Sequence, residues 1–175
     1  MTDTATSPTT DPRESGLAPF ELRYLVLAAQ REGNRALSRQ LAPLGLTSSQ
    51  FEIVLVLDSY GPISLKELGG LIVCETGSPS RIVDTLVRRG FVERATHPAD
   101  RRAVALQLTA AGKALVPQLR EIDRAVDEGA HAQLDPEDLL GLTRALRLYL
   151  TGSEYGAVLE RRFGDDRATP PDGAL

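Results

Sequence analysis

Residues 92–112 read VERATHPADRRAVALQLTAAG. Val104, Leu106 and Leu108 alternate with small or polar neighbours, the period of two expected of a half-buried strand, and FVERA (residues 91–95) has the same β-type content. The two runs predict short antiparallel strands joined by THPADRR, with Arg101 and Arg102 at the hairpin tip. Asp100 is placed to hold Arg102 by a charge-assisted bond, which leaves a rigid guanidinium projecting from the turn. Thr109 is a helix N-cap residue, so the chain turns at once from the hairpin into a helix.

Immediately upstream, CETGSPSRIVDTLVRRG predicts an amphipathic helix, with Ser78 as N-cap, Pro79 at the first helical position and Gly90 just past the end. A start one turn earlier, at Glu75, fits the same pattern. On a helical wheel Ile82, Val83, Leu86 and Val87 share one side, while Ser80, Arg81, Asp84, Thr85 and Arg88 share the other. Small hydroxyls and guanidinium groups match base edges and phosphates. Asp84, three residues after Arg81 and four before Arg88, is expected to orient an arginine rather than touch DNA. Taken alone, this helix could equally be a solvated face with intrahelical ion pairs. The segment before it, ISLKELGGLI, carries Ser64 and Glu67 at capping-box spacing and then a Gly-containing turn. Short helix, turn, arginine-faced helix and arginine-tipped hairpin together make a winged helix-turn-helix.

The expected fold class is therefore mostly α with a small β-hairpin wing. Candidate DNA contacts are Ser64 and Lys66 on the short helix; Ser78, Ser80, Arg81, Thr85 and Arg88 on the reading helix; and Arg101 and Arg102 on the wing. Residues 1–19, rich in Thr, Ser, Pro and Asp, read as a disordered tail. FELRYLVLAAQREGNRALSRQLAPLG follows as a long helix stopped by Pro43 and Gly45. Thr47 and Gln50 form a second capping box ahead of a helix that ends at Gly61-Pro62. After Thr109 comes a helix that Pro117 should bend, and Asp135-Pro136 opens another, closed by Gly152. The chain divides into a reading lobe, 47–110, flanked by helices over 20–45 and 110–152. A C-terminal extension, 153–175, should be largely disordered at its end.

Composition agrees with a globular chain: 175 residues, 42% hydrophobic and 25% charged. The net charge of −4 is unevenly spread. From Ser78 to Arg102 six arginines face three carboxylates, a local +3 that leaves the remainder at −7. An acidic body with one basic patch limits non-specific sticking while reserving a face for nucleic acid. The single cysteine rules out an intrachain disulfide, and no export signal or membrane-length apolar run is apparent, so a cytoplasmic, soluble protein is expected. His97 and His131 stand apart from other ligand-type residues, so no metal or cofactor is expected, and no nucleophile, phosphate-loop or paired-carboxylate motif suggests an enzyme.

The run RIVDTLVRRGFVERATHPADRRAVALQLTAAGKAL, residues 81–115, resembles the MarR (multiple antibiotic resistance regulator) family of transcription factors. Asp100 and Arg102 match the family's Asp-x-Arg wing; Leu108, Thr109 and Gly112 match its Leu-Thr-x-x-Gly turn; GLTSSQFEIVLVL is similar to the segment before the reading head. The resemblance covers residues 20–152. It implies a homodimer built on the first and last helices, a pseudo-palindromic DNA operator, and release by a small phenolic or aromatic effector. Tyr24, Phe51 and Tyr60 lie where one wall of the effector crevice would be, although core packing accounts for them as well. Cys74 is the candidate for redox sensing, against a buried inert thiol beside Glu75; the oxidant-sensing branch keeps its cysteine near the first helix, where this chain has none. The alternatives to an effector-gated repressor are thus a cysteine-based sensor or a winged-helix protein-interaction module.

Overall fold

The computed structural model describes residues 19–73, 78–97 and 100–164. Helix α1 (Pro19–Leu41) is followed by a 3₁₀ turn (Ala42–Leu44), α2 (Ser48–Tyr60), α3 (Leu65–Gly69) and α4 (Pro79–Arg88). Strands β1 (Val92–His97) and β2 (Asp100–Leu108) come next, then α5 (Ala110–His131), α6 (Pro136–Tyr149) and α7 (Glu154–Phe163). The chain separates into two compact units, residues 1–36 and 37–175. In the first, Leu22, Tyr24 and Leu25 are exposed, Arg23 lies over the Tyr24 ring and Glu32 pairs with Arg35.

The second unit is organised around α2. Its Phe51, Ile53, Val54, Val56 and Leu57 are buried with Leu68 of α3, Val83 and Leu86 of α4, Val92, Leu106 and Leu108 of the hairpin, and Val116, Leu119 and Ile122 of α5. Every element of the helix-turn-helix therefore leans on one apolar core. Polar caps set where its helices begin. Thr47 accepts from the Gln50 N–H while the Gln50 side chain accepts from the Thr47 N–H, and Ser64 and Glu67 do the same for α3. Asp135 caps α6 through the N–H groups of Glu137 and Asp138. Ser78 does occupy the N-cap position of α4, but its hydroxyl is bonded to that of Ser80 at 2.7 Å and does not cap the helix. The alternative start of α4 at Glu75 lies outside the described residues, as do Cys74 and both chain ends.

The strands are longer than the sequence suggests. Pairing runs from Val92 with Leu108 to Thr96 with Val104, then shifts register so that His97 faces Asp100. Asp100, Arg101 and Arg102 thus belong to β2 rather than to a loop, because Asp100 still pairs with His97 beyond the apolar alternation that marks a strand in sequence. Their side chains, and with them the expected Asp100–Arg102 bond, are not among those described. Of the alternating residues, Leu106 and Leu108 are buried but Val104 is 56% exposed. The hairpin has left the body by that point. At its base Ile63 adds a short bridge, exchanging backbone hydrogen bonds with Leu106.

The Leu-Thr-x-x-Gly turn joins the hairpin, the end of α4 and α5. The Thr109 hydroxyl donates to the Gly90 carbonyl at 2.6 Å and accepts from the Gly112 N–H at 3.1 Å, while the Thr109 N–H donates to the Phe91 carbonyl. A Cβ on Gly112 would lie 2.1 Å from that same Phe91 oxygen, so only glycine allows α5 to start this close to the end of α4. Gly90 supplies the left-handed conformation that stops α4, at φ 75°. Helix α5 continues through Pro117. Helix α7 occupies the first part of what the sequence presents as an extension after Gly152. Ser153 caps it through the Gly156 N–H, and its Val158 is 3% exposed.

Candidate nucleic-acid interface

Helix α4 has two faces with different duties. Val83 and Leu86 are 1% and 0% exposed, and these fix the helix to the core. Opposite them lie Ser80, Arg81, Asp84, Thr85 and Arg88, of which Arg81 and Arg88 are the exposed ones. Arg81 meets no carboxylate among the described residues. Thr85 donates to the Arg81 carbonyl at 3.0 Å and accepts from the Arg88 guanidinium at 2.9 Å. Its hydroxyl is thereby engaged within the helix, and it holds Arg88 along the outer face. Ser64 is likewise committed to its capping box, whereas Lys66 is exposed on α3.

The arginines of the basic segment, alike in sequence, are sorted by the structure. Arg89 points away from the outer face of α4: it donates to the Leu44 and Gly45 carbonyls at 2.9 and 2.7 Å and lies 4.9 Å from the centre of the Phe91 ring. It ties the C-terminal end of α4 to the turn after α1. Arg94 of β1 is paired with Asp84 at 2.5 Å. Asp84 therefore orients an arginine, as its chemistry suggested, but across to the wing strand instead of along the helix; in sequence, a partner ten residues away is invisible to helical spacing. What remains exposed on the outer face of α4 is Arg81 and Arg88; Arg101 and Arg102 lie in β2, with side chains outside those described. Arg89 adds to the local positive charge without joining the outer face, and the one sequence signal of this is its position past the helix end, beside Gly90.

The aromatic candidates fall in both compact units. Phe51 is 6% exposed in the core, Tyr60 is partly buried with its hydroxyl donating to the Arg162 carbonyl at 3.3 Å, and Tyr24 is 56% exposed in the other compact unit. A crevice of about 580 Å³ between α6 and α7 is lined instead by Arg147, Leu148, Leu150, Thr151, Leu159 and Glu160. Among the described residues no three His, Cys, Asp or Glu side chains come together to hold a metal ion. No single helix there is long and apolar enough to cross a membrane.

Residues 46–104, from just before α2 into the wing, match the sequence profile of the MarR family. The multiple antibiotic resistance protein MarR of Escherichia coli is 30% identical over 113 residues, covering 65% of this chain and 76% of that protein. The chain belongs to the MarR family. This MarR-family protein is also 26% identical over 153 residues to the HTH-type transcriptional repressor NicR of Pseudomonas putida, across 85% of the chain and 96% of the relative. Its fold is that of MarR: a solved Escherichia coli MarR variant in complex with operator DNA superposes with a TM-score of 0.67 at 25% identity, covering 81% of this chain and 99% of that one. The MarR-family chain is thus a DNA-binding transcription regulator with a winged helix-turn-helix, of a family that is not enzymatic.

Proposed function

We propose that this MarR-family chain is a homodimeric, cytoplasmic repressor that binds a pseudo-palindromic operator and is released by a small phenolic or aromatic effector. The observation that carries the reading is the polarity of α4: Arg81 and Arg88 outward, Val83 and Leu86 locked inward. Two copies of α4 would enter successive major grooves about 34 Å apart, with Arg101 and Arg102 of each wing on the flanking backbone or minor groove. Dimerisation is supported by apolar side chains left in solvent: Leu22, Tyr24 and Leu25 on α1, Leu140, Leu142, Leu148 and Tyr149 on α6. A repressive role is supported by the similarity to NicR. An effector that alters the spacing of the two reading helices would end binding without touching DNA.

The test is duplex selection from a random pool, followed by titration of the selected duplex at several salt concentrations and sedimentation of the free protein. A half-site repeated about one helical turn apart and a dimer at micromolar concentration are expected. Arg102→Ala should weaken binding to all duplexes and flatten the plot of log affinity against log salt by about 0.9 for each phosphate the wing no longer neutralises; Arg81→Ala should also change the selected sequence. A stable monomer, or affinity independent of salt, would refute the proposal.

A further inference from the structure

Helix α7 lies outside the wing and α4, yet it is tied to the turn at residues 70–73, just after α3. Arg161 Nε donates to the Gly70 carbonyl at 2.8 Å, at the C-terminal end of α3. Arg162 Nη1 meets Glu52 Oε1 of α2 at 2.6 Å, and that same oxygen accepts the Val73 N–H at 2.9 Å. Tyr60 fastens the Arg162 backbone from α2. The Arg162 and Glu52 side chains are 19% and 12% exposed, so the pair is shielded from the screening that weakens surface ion pairs.

The turn needs this support. Gly70 and Leu71 donate to carbonyls of α3, but the Val73 N–H donates to the Glu52 carboxylate, a side chain from another helix. Leu71 and Ile72, 9% and 6% exposed, anchor the turn by packing, which resists separation from the core but gives little direction. A carboxylate held at once by a guanidinium and a backbone N–H fixes direction. We propose that α7 is a positioning strut for DNA reading: Arg162, acting through Glu52, and Arg161, acting on Gly70, hold residues 70–73 at the end of α3, where Leu71 and Ile72 share the core with Val83 and Leu86 of α4. The inference rests on α4 being the helix that reads DNA.

The experiment uses the full chain and its selected duplex, comparing wild type with Arg162→Ala, Arg162→Lys and Glu52→Gln, and follows Val73 amide exchange by NMR. Arg162→Ala should weaken binding about tenfold, the scale of a typical coupling between sites, with an unchanged salt slope because the strut neutralises no phosphate. Val73 exchange should accelerate, and Arg162→Lys should recover part of both. Unchanged affinity in Arg162→Ala, or a slope reduced by about 0.9 per site, overturns the strut; the second result would make Arg162 a direct phosphate ligand. Should Arg162→Ala fail to fold, Glu52→Gln, which retains an acceptor for Val73 but loses the charge, is expected to show the same pattern to a lesser degree, and unchanged affinity there overturns the proposal. Wild type that binds no duplex refutes the DNA reading of α4 and the strut with it, whereas equal binding by wild type and variants refutes the strut alone.

Discussion

Arg88 and Arg89 are neighbours in sequence and should behave oppositely when replaced. Arg89→Ala removes two guanidinium bonds to backbone carbonyls, at Leu44 and Gly45, and the stacking of the guanidinium on the Phe91 ring. In exposed surroundings each such bond contributes about 0.5–1 kcal/mol and the ring interaction about 0.5 kcal/mol, so the loss is about 2 kcal/mol. For a chain of 175 residues that lowers Tm by about 4–8 °C. Arg88→Ala removes one bond to the Thr85 hydroxyl on the outer face of α4 and should leave Tm within about 1–2 °C. DNA binding should show the reverse pattern in its salt dependence. Arg88→Ala should flatten the salt slope by about 0.9 for each phosphate it ceases to neutralise, whereas Arg89→Ala should weaken binding, if at all, with the slope intact. Calorimetric melting and fluorescence anisotropy at several salt concentrations measure both quantities. A flattened slope with an unaltered Tm for Arg89→Ala would mean that this side chain lies on DNA, and the sorting of the basic segment would be wrong.

Gly112→Ala should destabilise by about 1–3 kcal/mol, since its Cβ would press on the Phe91 carbonyl, and denaturant unfolding would show it; a neutral effect would mean that α5 does not start against the end of α4. Asp123 has its carboxyl raised above the usual 3.8, chiefly by partial burial and then by Asp127, with Arg162 and Arg120 opposing. Because the folded state binds this proton more readily than the unfolded chain, the charged group destabilises at neutral pH, and the penalty is relieved as pH falls through the raised pKa. Asp123→Asn should therefore melt slightly higher than wild type at pH 7, with the difference vanishing below the ordinary carboxylate value; a lower Tm at pH 7 would contradict the shift. The residue is only partly buried, and the solvent that still reaches it keeps the effect small.

Much of this fold was legible because its signals are local. Capping boxes at Thr47 and Ser64, the Pro79 start and Gly90 stop of α4, and the period-two run into Thr109 depend on neighbours within about four residues, and backbone geometry turns such spacing directly into structure. The inward and outward faces of α4 follow from the same periodicity. Partners distant in the chain were not legible. Asp84 could pair within its helix or beyond it, and only the packing of β1 against α4 selects Arg94. Arg89 carries the same charge as Arg88, yet the placement of the turn after α1 puts carbonyls within its reach. Helix α7 is short, and its ties run from Arg161 to Gly70, 91 residues apart, and from Arg162 to Glu52, 110 residues apart. A charge has no periodicity of its own: sequence determined which residues could make ion pairs and hydrogen bonds, and the tertiary structure decided which of them became anchors and which were left facing outward.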